Sequence, residues 1–294
     1  MMKILSINPH FDDFEFTAAG TFVLLQRKFG KDFRGRVLVC TDGKAGHHFR
    51  SREETGRMRL AEQEASARIG GYEFELLRLP NGETVREGCP QLTLEFVAAL
   101  WKAIRDFEPD YLFSPPLPVD PLAGIHNDHL NVADAVRRVA YLINVPHAYT
   151  PEFPADEAVS RPCKVPVILT VYDSYMFGAN AVDFGIDVEE AWTQIVAMSW
   201  CHYSQVAEWL PWVGVHGIKT PASAAEWGDT LRLRHERQNR GLGIASKRPV
   251  EVFKVTAWGA LPDLDQLLAD FPPLLPESTN LSALRERLAL WRRA

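Results

Sequence analysis

The first 143 residues alternate between strand-like and helix-like patterning, and this limits the fold more than any other feature. Residues 3–8 form a short apolar run of strand length. Residues 14–29 carry apolar side chains at helical spacing and stop at Gly30. Residues 36–41, "RVLVCT", are β-branched and end at Asp42-Gly43. The same alternation continues through a helix over 51–69, a strand over 73–79, a helix over 92–107, a strand over 110–114 and a helix over 128–143. Short connections between β and α segments predict an α/β fold, with a mostly parallel, Rossmann-like sheet carrying helices on both faces. From residue 146 the pattern loosens into an elaborated C-terminal half. There, 166–172 reads as a strand, 189–209 as one long helix and 223–240 as another. Residues 250–257 read as a late strand, placed at a sheet edge, and 280–293 as a charged amphipathic helix. No repeat, low-complexity tract or flexible linker separates the halves. The expectation is therefore one domain over 1–294, with a core over 1–145 and an elaboration over 146–294.

Polar residues sit at costly places in this pattern. "SINPHFDDFEF" puts His10, Asp12 and Asp13 directly after the first strand. "HNDH", His126 to His129, follows the strand over 110–114 and its proline-rich loop. In a doubly wound sheet, ligands bind at the carboxyl ends of the strands, so both clusters belong to one edge. Each holds two candidate ligands three residues apart, His10 with Asp13 and His126 with His129. At a helix start that spacing points both side chains the same way. Two imidazoles and a carboxylate make a common open zinc site. Either cluster alone could be packed histidines and N-capping aspartates. Both on one edge require a cation or an extensive hydrogen-bond network.

These motifs resemble the PIG-L/LmbE family of zinc-dependent de-N-acetylases. That family opens with a strand and a Pro/Ala-His-Pro-Asp-Asp-x-Glu motif and carries His-Pro-Asp-His later; here the counterparts are "PHFDDFE" and "HNDH". "TDG" at 41–43, "RLAEQEASARIG" at 59–70, "RLPNGE" at 78–83 and "HYSQ" at 202–205 add support. The resemblance covers residues 2–143 well and the remainder patchily. It implies that His10, Asp13 and His129 bind Zn2+ or another divalent metal. Asp12 would be the general base, and His126, held by Asp128, would stabilise the oxyanion or protonate the leaving amine. Arg59 and Asn81 would contact substrate. Phe11 and Asn127 stand where the family has prolines, which supply no ligand side chain. Asn81 replaces an aspartate that touches the sugar in relatives, and Ile195 stands where a lysine is usual. The chemistry fits independently: amide hydrolysis needs an activated water, a base beside it and positive charge at the oxyanion.

The expected activity is de-N-acetylation of an N-acetylated amino sugar such as an N-acetylglucosamine derivative, or of a sugar conjugate. A first alternative is hydrolysis of another amide, in a thiol-sugar conjugate or an acylated secondary metabolite. A second is a non-catalytic metal- or carbohydrate-binding protein, which would not need both Asp12 and Asp13. Among the other polar residues, Glu15 reads as an acid favoured by a helix N-terminus, His47-His48 as solvated loop residues and His202 as a packed helix histidine. His147, His216 and His235 have no companion signal. Trp192, Trp200, Trp209, Trp212 and Trp227 read mainly as core.

Composition excludes several classes. Apolar residues make up 46% and charged residues 24%, enough for a sizeable core. A net charge of −6 argues against nucleic acid as the main partner. No apolar run is long enough to span a membrane, and "MMK" leads straight into a strand without a signal-peptide pattern, so a cytoplasmic location is expected. Cys40, Cys89, Cys163 and Cys201 form no CxxC pair and read as reduced thiols. The expected partner is a small acetylated molecule, and a homo-oligomer is left open.

Overall fold

The structure, a computed structural model, describes residues 1–176, 178–214 and 217–293. His216 therefore lies outside the described residues. Among these residues seven strands form one sheet: β1 (Met2–Asn8), β2 (Phe33–Val39), β3 (Glu73–Leu76), β4 (Tyr111–Ser114), β5 (Val167–Val171), β6 (Phe184–Asp187) and β7 (Val250–Val255). The spatial order is β3-β2-β1-β4-β5-β7-β6. The first five strands pair in parallel, and β7 joins β5 and β6 antiparallel. The helices are α1 (Ala19–Phe29), α2 (Arg52–Gly70), α3 (Leu94–Phe107), α4 (Asn127–Ala140), α5 (Trp192–Trp200), α6 (Leu210–Val213), α7 (Ala224–Gly241), α8 (Leu264–Asp270) and α9 (Leu281–Trp291).

Successive strand residues bury on opposite faces, as a pleated strand requires. Ile4, Val37, Phe113 and Leu169 pack into one core with Phe22, Ile195, Trp227 and Leu267. Leu5, Leu38, Leu112 and Ile168 pack into the other with Phe96, Trp101, Val132 and Val136. Strands covered on both sides need apolar residues at nearly every position, which explains why "KILSI" and "RVLV" do not alternate with polar residues. α3 begins behind Thr93, whose hydroxyl accepts the Phe96 N–H. α2 begins with a capping box between Ser51 and Glu54.

Three expectations change, and one strand, β6, had no counterpart in the sequence reading. Residues 250–257 are not at an edge: β7 lies between β5 and β6 and is buried along most of its length. The edge strand β6, "FGID", is too short and glycine-broken to show a period. The helix over 14–29 is divided into a 3-10 turn, Asp13–Phe16, and α1. The long helix over 189–209 is also divided: a 3-10 turn leads into α5, and a π-helical stretch, Ser204–Trp209, follows a break. A physical cause for the break is Glu62 on α2. Its carboxylate accepts both the backbone N–H and the hydroxyl of Ser204, at 2.8 and 2.6 Å, diverting them from the helical ladder. The four cysteines are free, and no helix among the described residues is long and apolar enough to cross a membrane.

Candidate active site

The order of the sheet reverses between β1 and β4. β1 continues to β2 and β3 on one side, while β4 opens the other. This switch point leaves a crevice at the carboxyl ends of β1 and β4, where both polar clusters emerge.

After β1 the backbone turns sharply. Asp12 adopts φ 84° and ψ −23°, a left-handed conformation that aspartate tolerates better than most residues. The two neighbouring carboxylates have different partners. Asp13 folds back, accepting the His10 backbone N–H at 2.8 Å, with its carboxylate 3.4 Å from His10 Nδ1 and 3.7 Å from His129 Nε2. Asp12 instead lies 3.1 Å from Arg59 Nη2. From the other side α4 delivers the imidazoles. His126 is the N-cap, its Nδ1 accepting the Asp128 N–H at 3.3 Å. His129 lies on the same side of the helix, its ring 4.8 Å from that of His126. Donor nitrogens of His10, His126 and His129 all lie within 4.8 Å of one another.

The donor chemistry fits a metal. His10 Nδ1 and His129 Nε2 face each other at 3.2 Å, and the Asp13 carboxylate approaches both, with Oδ2 3.4 Å from His10 Nδ1 and Oδ1 3.7 Å from His129 Nε2. Ligands about 2.0–2.1 Å from a tetrahedral ion lie roughly 3.3 Å apart, so these atoms are already at ligand spacing. The outer nitrogens are also occupied. His10 Nε2 is 3.0 Å from Asp128 Oδ2, and His129 Nδ1 is 2.6 Å from Asp173 Oδ2. Carboxylates that hold the outer N–H leave the inner lone pairs aimed at a shared point, the arrangement that orients imidazole ligands.

Charges are arranged to match. Burial would lower the pKa of His10, but hydrogen bonds from Asp128 and Asp13 overcome it and raise it to about 10. Burial likewise opposes the charge on His129, yet Asp13 and Asp173 raise its pKa. Burial disfavours the Asp13 carboxylate, but His129 and His10 hold it well below the usual range. Without a metal, the His10 imidazolium supplies positive charge at neutral pH. Burial raises Asp12 and the Arg59 charge opposes that rise, leaving it at about 6. Burial and the neighbouring His10 and His129 lower His126 to about 4, so it is neutral at neutral pH rather than cationic. Its accepting Nδ1 leaves the proton on Nε2.

The structure brings together His10, Asp12, Asp13, His126, Asp128 and His129. Two proposed roles change. The Asp128 carboxylate pairs with His10, not with His126, which it engages through its backbone N–H. Arg59 is 2% exposed and occupied within the protein. It donates to Glu87 Oε1 at 2.8 Å, to the Phe11 carbonyl at 2.8 Å and to Asp12, so it orients Asp12 instead of presenting a free guanidinium. Asn81 lies in the exposed turn after β3, where its side chain bonds to Glu83; the structure does not bring it to the cluster. Glu15 lies in the first turn of the 3-10 helix as an acid, but it is buried and accepts from Gln63, Ser66 and Tyr72, with His202 Nε2 at 3.4 Å. His202 is fully buried, as a packed histidine should be. His47 is not solvated either, since its Nε2 meets Glu208 at 2.9 Å.

Sequence reasoning missed Asp173 and Glu87. Asp173 follows β5 by two residues, so it carried the same signal as His10: a polar group at the carboxyl end of a strand. Glu87 had no such signal. It lies in the loop after β3, accepts the Gly46 N–H at 3.0 Å and the Ala45 N–H, and sits 3.9 Å from His10 Nε2.

Residues 5–140 match the family model described as PIG-L: GlcNAc-PI de-N-acetylase. No curated protein matches the chain. Solved structures do. N,N'-diacetylchitobiose deacetylase from Pyrococcus horikoshii superposes with a TM-score of 0.65 at 20% identity, covering 90% of this chain and 88% of that one. The 4-carboxy-2-hydroxymuconate hydratase GalB from Pseudomonas putida KT2440 gives 0.61 at 16% identity, covering 90% and 100%. A deacetylase triple mutant of the teicoplanin biosynthetic pathway gives 0.53 at 15% identity, covering 87% and 99%. At these identities the structures share a fold, and one fold hosts several chemistries. With its two polar motifs meeting at the switch point of the sheet, the stretch from residue 5 to residue 140 carries a PIG-L family match.

Proposed function

We propose that this protein is a metal-dependent amide hydrolase, a de-N-acetylase of an N-acetylated amino sugar or sugar conjugate. The observation that carries the reading is the convergence of His10 Nδ1, His129 Nε2 and the Asp13 carboxylate at ligand spacing, backed by Asp128 and Asp173. These three residues would hold the metal, with zinc the best match to two imidazoles and one carboxylate. Bound there, a divalent ion would polarise the acyl carbonyl and lower the pKa of water toward about 7.

The chain's own groups supply the rest. Asp12 is fixed by Arg59 and takes the proton of the attacking water. Its raised pKa lets it hold that proton and return it to the leaving amine. His126, neutral and protonated on Nε2, donates a hydrogen bond to the oxygen on which charge develops. Arg59 keeps Asp12 ionised between turnovers. The presence of a carboxylate set apart from the ligand cluster favours hydrolysis over metal storage.

The test combines elemental analysis with acetate release. About one divalent ion per chain is expected, and acetate release from N-acetylglucosamine derivatives should stop on chelation and return with added zinc. Chelator-insensitive release from a metal-free protein would overturn the metal reading. No release from acetylated sugars, with turnover of another acylated amine, would move the substrate to the alternative amide class.

A further inference from the structure

Among the described residues, one arginine beside this site stands outside every ion pair. Arg234 lies on α7, far along the chain from residues 5–140. It lines a cavity that Asp13 and His129 also line, together with Tyr172, Ser174 and Tyr175. Its guanidinium lies over the Phe16 ring, 4.6 Å from the centroid, and Nη2 donates to Ser174 Oγ at 3.0 Å. Among the described residues, no carboxylate lies at ion-pair distance from it. The contrast with other arginines is clear. Arg232, two residues earlier, is held by both oxygens of Glu189 at 2.9 and 3.0 Å. Arg59 is shared between Asp12 and Glu87, and Arg287 is on Asp183. The nearby acids are already engaged: Asp13 with His10 and His129, and Asp173 with His129 and the Tyr175 N–H.

A guanidinium has five N–H donors in a planar fork, and one here is used by a hydroxyl. Stacking on Phe16 fixes its plane, so less side-chain freedom is lost when a ligand arrives. A partly buried and oriented fork in a cavity that reaches a metal-ligand cluster is suited to a planar or tetrahedral anion. We propose that Arg234 binds an anionic group of the substrate, a carboxylate or a phosphate, while the scissile amide lies beside Asp13 and His129 in the same cavity. This rests on the hydrolase reading of the site and narrows its substrate class to anionic N-acyl compounds.

The test has a binding arm and a turnover arm. Methylphosphonate and propionate are titrated calorimetrically into the as-purified protein and into Arg234→Gln and Arg234→Lys. At least one anion should bind the wild type and lose about tenfold or more in affinity in Arg234→Gln, with the lysine variant between, as loss of a charge-assisted fork predicts. Metal content and melting temperature should not change. The anion that binds identifies the group as phosphate-like or carboxylate-like. In the turnover arm, N-acetylglucosamine 6-phosphate and N-acetylmuramate are compared with neutral N-acetylglucosamine. One charged sugar should be preferred, and Arg234→Gln should raise its KM while changing kcat little. Equal anion affinity in wild type and Arg234→Gln, or no anion binding at all, overturns the proposal. Should Arg234→Gln fail to fold, the same comparison with Arg234→Lys decides. Arg234-dependent anion binding without acetate release from any sugar would sink the hydrolase reading and keep the anion site. Acetate release indifferent to charge and to Arg234 would do the reverse.

Discussion

At the scale of single residues, the site depends on two adjacent aspartates doing different work. The left-handed backbone at Asp12 separates them, so Asp13 meets the imidazoles while Asp12 meets Arg59. Asp12→Asn should keep metal and fold, because asparagine also tolerates this conformation, and lower kcat by roughly 10²–10⁴, as loss of a general base does. Asp13→Asn should lower metal content, with activity partly restored by excess zinc. Metal analysis and steady-state kinetics on the two variants check this; exchanged phenotypes would exchange the roles. Arg59→Ala leaves Asp12 and Glu87 buried without their cation and should destabilise the fold by about 3 kcal/mol or more, read by urea denaturation. A free substrate contact would instead change KM alone. The sequence made His10, Asp12, Asp13, His126 and His129 legible because each lies in a short motif beside a strand end. It did not reveal that Arg59 is consumed internally, since Glu87 is 28 residues away and no local pattern links the two.

At the scale of elements, the alternation of strands and helices was readable because each buried strand is a short apolar run and each helix has a boundary signal. Breaks imposed from outside were not readable. α1 illustrates this. Its N-cap is Ala18, with no side chain to satisfy the first amides. Glu251, from β7, does so instead, accepting the Gly20 and Thr21 N–H groups at 2.8 and 2.7 Å. Glu251→Ala should therefore destabilise the protein by about 1–3 kcal/mol through orphaned buried amides. Hydrogen exchange should localise the loss to the start of α1, and a uniform change across the chain would argue against the cap.

At the scale of the whole molecule, the site is a balance of charge. In the metal-free centre, against the lowering effect of burial, Asp128 and Asp13 raise His10 to about 10, and Asp13 and Asp173 also raise His129. These raised values contribute stability to the metal-free fold below the ordinary histidine pKa, and His10's share is lost as pH rises through about 10. Metal must displace the His10 proton, so its affinity should fall as pH falls. Calorimetry at pH 7 in buffers of different ionisation enthalpy should show net proton release as metal binds. Affinity independent of pH between 6 and 8 would contradict this ligand set.

The sequence alone determined the parallel sheet of the first half and the edge at which function would gather, because apolar periodicity and polar residues after strands are local patterns. It also carried the family resemblance of residues 5–140, since both motifs are short and contiguous. Only the tertiary structure decided that β7 is an interior strand, that Asp173 and Glu87 join the centre, and that Arg234 from α7 reaches the same cavity with no carboxylate at ion-pair distance among the described residues. Those outcomes depend on contacts between residues dozens to hundreds of positions apart. Their pairing is set by how sheet and helices pack, and no local spacing records it.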